Sequence, residues 1–255
     1  MFSPEGPTVR ELAVQALSSV ERGYDLLAPK FDHTPFRTPD LALAGTARVL
    51  AGLGSHGSGL DLCCGTGAGV EVLRSVCTEE AVGVDFSAGM LEVARERHQR
   101  PAAGRHAARG GPAVRWVRGD ARQLPFAPES FELVASFGAL GHFLPAEWPG
   151  LFAGVRRVLR PGGHLVLPLA APPRPGSAEY WTLYAFDGAM RVRNALWRPP
   201  FVMYYRTMRY SGLRQALVRA GFAVELHPLG EYGIREDGSP RAGLVVATRQ
   251  AAQAG

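Results

Sequence analysis

Of the 28 Lys and Arg residues in this 255-residue chain, only Lys30 is a lysine. The formal net charge is +5, yet no lysine-rich arm of the kind that grips nucleic acid is present. Cysteine is nearly as scarce: Cys63, Cys64 and Cys77 are the only three. Adjacent cysteines rarely bridge each other, and no CxxC spacing occurs, so a disulfide framework and a zinc site are both excluded. Buried thiols in a reducing compartment are expected. No apolar run approaches the roughly 18 residues of a membrane span. The opening MFSPEGPTVREL lacks the basic and apolar regions of a signal peptide, so a cytoplasmic protein is expected. No GxxxxGK[ST] segment exists to cradle a nucleoside triphosphate, and no internal repeat is visible.

What remains is ordinary for a globular chain: 46% hydrophobic and 20% charged residues. The length suits one domain with an appended lid. Thr8-x-x-Glu11 forms a capping box, and Val9, Leu12, Ala13, Ala16, Leu17 and Val20 follow at helical spacing, predicting one helix that ends at Gly23. Pro39 opens a second helix running to Leu53. The stretch between them, YDLLAPKFDHTPFR, is too aromatic for an idle linker. From residue 58, short apolar strands alternate with helices. Strands are predicted at Gly59–Cys63, Ala81–Asp85, Val114–Val117, Phe131–Ser136 and Leu165–Leu167, then near Phe222–Leu226 and Leu244–Ala247. A helix from Trp148 is expected to end at Pro161. This alternation predicts an α/β protein, a doubly wound, mostly parallel seven-stranded sheet. The expected organisation is an N-terminal helical cap (1–54), a cofactor-binding core (55–170), an aromatic lid insertion (171–210), and a last helix and two strands (211–250).

The strongest motif is Asp61-Leu-Cys-Cys-Gly65-Thr66-Gly67-Ala-Gly69, between a strand and a helix. Glycines there let backbone approach a ligand, and the helix N-terminus offers unpaired N–H groups. Asp85 ends the next strand, where a carboxylate can accept from both hydroxyls of a ribose. The two elements in this order indicate a nucleoside-containing cofactor. A nicotinamide fingerprint would place glycine where Val70 stands.

Four separated segments resemble the class I S-adenosylmethionine-dependent methyltransferases: DLCCGTG, VGVDFSAGML, GDARQLPF with Ser130-Phe131-Glu132, and RVLRPGG. They cover roughly residues 55–170. The Ala28-Pro29-Lys30-Phe31-Asp32 segment, the paired cysteines, DARQLPF and RVLRPGG resemble more narrowly the quinone-biosynthesis C-methyltransferases. Ala139-Leu140-Gly141-His142 departs from that type, which carries an Arg-Asn pair there. The resemblance implies S-adenosylmethionine as cofactor. It implies Gly65, Thr66 and Gly67 at the methionine moiety with Asp61 near its ammonium, and Asp85 at the ribose. It implies Phe86 and Met90 beside the adenine, Asp120 and Ala121 at its edge, and Phe137 at the methionyl end. Plain core packing of Phe86 and Met90, and a turn-forming role for Asp120, stand as alternatives.

Methyl transfer asks for placement and desolvation more than for bond-making by the protein, and no metal is implied. The acceptor is expected to be a small aromatic or apolar metabolite, as in secondary metabolism, walled by Tyr24, Phe31, Trp181, Tyr184, Tyr204 and Tyr205. His142, just past the fourth strand, is the leading candidate for a general base, with His33 its rival. A purely local packing role for His142 is the competing reading. Two other functions stay open: methylation of tRNA or rRNA, motivated by the net charge and the arginines from Arg95 to Arg118, and a non-catalytic cofactor-binding module.

Overall fold

The computed structural model describes residues 5–34, 36–99, 111–197 and 208–251. Eight α-helices and seven strands are named among them: α1 Val9–Leu17, α2 Val20–Leu27, α3 Asp40–Gly52, β1 His56–Leu62, α4 Ala68–Val76, β2 Cys77–Asp85, α5 Ala88–Gln99, β3 Ala113–Arg118, β4 Phe131–Ala135, α6 Trp148–Val158, β5 Leu159–Ala170, α7 Ala178–Trp197, α8 Tyr210–Arg219, β6 Phe222–Pro228 and β7 Ala242–Arg249. The strands form one sheet in the order β3-β2-β1-β4-β5-β7-β6. β7 alone runs antiparallel to its neighbours. The expected doubly wound sheet is thus present, and the order reverses between β1 and β4, which pair directly.

Alternate residues of each strand feed two cores, as a sheet covered on both faces requires. On one face Leu60, Val82, Val134 and Leu165 pack with Phe152 and Val155 of α6 and with Leu213 and Leu217 of α8. On the other Ala81, Leu133, Val166 and Leu244 pack with Leu50 of α3, Leu73 of α4 and Leu91 of α5. Leu50, Leu60 and Leu73 are wholly buried, and each such side chain contributes about 1.5–3 kcal/mol.

Several strands run longer than expected, and two helix ends differ for a visible reason. The first helix is two helices: the Thr8–Glu11 box caps α1 as predicted, but Ser19 caps α2 by accepting from the Arg22 N–H. The Ser18 hydroxyl donates to the Val14 carbonyl, and two adjacent serines offer the backbone enough local partners to end one helix and begin another. Gly23 therefore lies inside α2 rather than at its end. Likewise α6 stops at Val158, and the Arg160–Gly163 turn is absorbed into β5, whose pairing with β4 shifts register there. Gly162, at φ 80°, takes the left-handed turn conformation.

Candidate active site

The carboxyl ends of β1, β2 and β4 lie side by side, and the chain leaves each of them into the same crevice. After β1 it turns through Cys63 at φ 57° and Gly65 at φ 51°. A non-glycine residue at positive φ is uncommon and carries strain that neighbouring structure must hold. Gly67, at φ 86°, then caps α4 with its own N–H donating to the Cys64 carbonyl. α4 packs so closely here that a Cβ on Gly69 would overlap the Asp61 carboxylate and the Phe137 ring. Glycine is thus needed at 69 for space, not for φ.

Asp61 ends up 1% exposed; no well-aligned hydrogen bond reaches either carboxylate oxygen among the described residues, and the Val70 N–H of α4 relieves it only in part. Burial, and then the neighbouring Asp85 charge, push its carboxyl well above the usual range. Asp85 is better served: one oxygen accepts from the Gly65 N–H at 2.9 Å and the other from the Ser87 N–H at 2.9 Å. It ties the glycine loop to the start of α5, while burial still raises its pKa.

A cavity of about 510 Å³ opens over these groups. Gly65, Asp85, Phe86, Met90, Asp120, Ala121 and Phe137 form its floor. Asp61 and Thr66 border an adjoining recess of about 70 Å³, which shares Gly65 and Phe137 with the larger space. Gly67 lines neither and sits against the Trp116 ring. Asp120 does act as a turn-former, since its side chain accepts from the Arg122 N–H at 2.9 Å, but it also faces the cavity.

The roof comes from the N-terminal helices. Tyr24, Leu27, Phe31 and Phe36 line it, with Gln15 from α1. His142, in the 3₁₀ turn Ala139–His142, meets the Tyr24 hydroxyl at 3.0 Å through Nε2 and packs edge-on against its ring. Burial lowers its pKa to about 4, so the imidazole is neutral near pH 7. Carboxylates hold the roof down. Asp25 accepts from the Ser87 hydroxyl and the Gly89 N–H, Asp32 accepts from Thr66 Oγ1 at 2.7 Å and pairs with Arg97, and Glu21 pairs with Arg118. These fastenings were not foreseen. Their only signal was Asp25 and Asp32 in a stretch too aromatic for a linker, with Glu21 just before it.

Other expected residues lie elsewhere. His33 pairs with Glu5 and does not reach the cavity. Trp181 and Tyr184 sit on α7, 63% and 53% exposed, and do not wall it either. Tyr180 and Tyr184 stack on each other instead, with centroids 4.5 Å apart. Tyr204 and Tyr205 lie outside the described residues. Within the arginine stretch, Arg97, Arg115 and Arg118 each pair with a carboxylate of this chain, while Arg100, Arg105 and Arg109 lie outside the described residues.

Comparison with known proteins agrees with this geometry. A methyltransferase-domain family model matches residues 60–167. The demethylmenaquinone methyltransferase of Lactiplantibacillus plantarum is 33% identical over 186 residues, covering 68% of this chain and 72% of that protein. A phthiotriol/phenolphthiotriol dimycocerosates methyltransferase of Mycobacterium leprae is 37% identical over 107 residues, but the chain spans only 35% of its length. A solved methyltransferase from Methanosarcina mazei shares the fold at TM-score 0.58 and 20% identity, covering 77% of this chain and 93% of that one. The glycine loop and Asp85 fall within the matched residues 60–167, and the chain belongs to the class I S-adenosylmethionine-dependent methyltransferases.

Proposed function

We propose that this chain transfers a methyl group from S-adenosylmethionine to a small, flat, largely apolar acceptor, without a metal. One observation carries the reading. Gly65, Asp85 and Asp120 share one cavity with an aromatic roof and the Tyr24–His142 pair, and Asp61 and Thr66 border the recess beside it. The residues present fit the cofactor: an under-satisfied buried carboxylate at Asp61 suits an ammonium group, and the loop at Gly65, where an added Cβ would meet nothing within 4 Å, leaves room for close approach of a ligand. Asp61, Gly65 and Thr66 hold the methionine end, with Gly67 setting the loop behind them. Asp85 accepts from the ribose hydroxyls. Phe86 and Met90 flank the adenine, Asp120 and Ala121 meet its edge, and Phe137 closes the methionyl end.

Bound S-adenosylmethionine supplies an electrophilic methyl on a sulfonium. The protein's share is placement: Tyr24, Leu27, Phe31 and Phe36 hold the acceptor flat and keep water out. The acceptor's proton leaves through the Tyr24–His142 pair, the neutral imidazole receiving it at Nε2 while the Tyr24 oxygen takes it from the acceptor. Two relatives are named for demethylmenaquinone and for 2-phytyl-1,4-naphthoquinone, which supports a flat ring as the acceptor. Incubation with methyl-tritiated cofactor and a set of hydroxyarenes and quinols is expected to label a small organic product. Cofactor binding without transfer to any of them counts against the reading, and labelled RNA in its place would transfer the proposal to nucleic acid.

His142→Gln is expected to lower kcat about 100-fold with cofactor affinity unchanged. Because the folded pKa is about 4, the wild-type rate should show no inflection near 6.5 from this group, and its acid limb should fall near pH 4. A wild-type kcat in the variant between pH 6 and 9 removes His142 from the reaction.

A further inference from the structure

Gln15 is the polar side chain of the roof that the fold leaves unused. It projects from α1, is 5% exposed, and lines the cavity. Its Nε2 is buried without a hydrogen-bond partner among the described residues. Leaving an amide donor so costs about 1–3 kcal/mol, and a fold retains such a group where a ligand satisfies it. The surrounding groups narrow what that ligand is. The carboxylates expected to hold the cofactor, Asp61, Asp85 and Asp120, lie at or just past the carboxyl ends of β1, β2 and β3 and within residues 60–167, whereas α1 lies outside that matched domain. A leftover N–H donor in the cap is therefore addressed to the other ligand. Around it the cap offers Leu27, Phe31 and Phe36, which make no demand for polar atoms.

We infer that Gln15 is a specificity-determining residue, donating from Nε2 to an oxygen of the acceptor, so that the acceptor class is an apolar ring bearing a hydroxyl or carbonyl oxygen. The inference rests on the proposed acceptor cavity and deepens it. It places the oxygen under α1, held by a donor, in the same cavity as the Tyr24–His142 pair. A ring lacking the oxygen would bury Gln15 unsatisfied, and sites built to pair a polar group reject analogues lacking it far more strongly than apolar pockets reject a missing methylene.

The test measures binding rather than turnover. 1-Naphthol and naphthalene are titrated by calorimetry into wild type and Gln15→Met, both saturated with S-adenosylhomocysteine. The side-chain amide resonance of Gln15, assigned by its loss in the variant, is followed during the same titrations. Wild type is expected to favour 1-naphthol by at least tenfold, with the Gln15 resonance shifting on addition of 1-naphthol. Gln15→Met is expected to erase that preference while binding S-adenosylhomocysteine as before. Equal binding of both probes by wild type, binding of neither, or an unmoved resonance overturns the inference. So does a Gln15→Met variant with weakened S-adenosylhomocysteine binding, which would make Gln15 a cofactor contact. Selective binding without methyl transfer to any hydroxyarene would instead count against the proposed reaction and leave the donor role standing.

Discussion

Gly69→Ala is expected to cut S-adenosylmethionine affinity by more than tenfold and to lower the stability of the ligand-free protein as well. The added Cβ falls on the Asp61 carboxylate and within 2.6 Å of Phe137 Cε2. Both neighbours are constrained: Asp61 is buried on β1, and Phe137 sits where β4 leaves the sheet. Overpacking of this sort costs about 1–3 kcal/mol. At about 2–4 °C per kcal/mol for a chain of this size, the melting temperature should fall by several degrees. The binding loss follows because the Asp61 carboxylate and the Phe137 ring are the groups that must move, and both border the recess proposed for the methionine end. Gly111→Ala is the control: its Cβ would come no nearer than 3.9 Å to Arg74. Calorimetric titration and thermal melts decide the matter. A Gly69→Ala protein with wild-type affinity would mean that the recess is not part of the cofactor site.

The cofactor half of this site could be read from the sequence because its chemistry is local. A glycine loop between a strand and a helix, and a carboxylate at the next strand end, are fixed by short-range backbone geometry. Asp61, Gly65, Asp85 and Ala121 therefore meet as their positions along the chain suggest. The sheet followed from the same source, since its strands are short apolar runs punctuated by helices. The roof was less legible. Its position depends on three carboxylates that reach across 62 to 97 positions of sequence, from Asp25 to Ser87, Asp32 to Arg97 and Glu21 to Arg118. No periodicity announces such bonds. Ser18-Ser19 redirects α2, and the aromatic residues that roof the cavity, Tyr24, Phe31 and Phe36, come from α2 and the segment after it and not from α7. A dense run of aromatics in 171–210 marks a surface as readily as a pocket, and Trp181 and Tyr184 show the former. Gln15 was hidden for a different reason: in α1 it reads as one more polar residue of an amphipathic helix.

Asp61→Asn is expected to move stability and binding in opposite directions. In the ligand-free protein a carboxylate lies buried with no well-aligned donor, beside the Asp85 charge. Its folded pKa is therefore raised. A group so shifted stabilises the fold only in its protonated form, fully below the unfolded value near 3.9, and that contribution is lost as pH rises through the folded pKa. Above pH 4 the ligand-free wild type thus carries a growing penalty from the buried Asp61, which must either ionise without a good partner or hold a proton that the unfolded chain would release. Asparagine keeps the shape and removes the charge, so the variant should melt higher, and its advantage should widen between pH 4 and pH 8. Binding goes the other way. The carboxylate is the natural partner for an ammonium group, and charge-assisted hydrogen bonds of this kind contribute about 1.5–3 kcal/mol, so S-adenosylmethionine affinity should fall at least tenfold. The two effects share a cause: functional sites commonly retain groups that cost stability until their ligand arrives. Melting temperatures across that pH range, paired with calorimetry at pH 7, read both. A variant that melts lower than wild type at every pH would show that Asp61 supports the fold, and an unchanged affinity would place the cofactor's ammonium elsewhere.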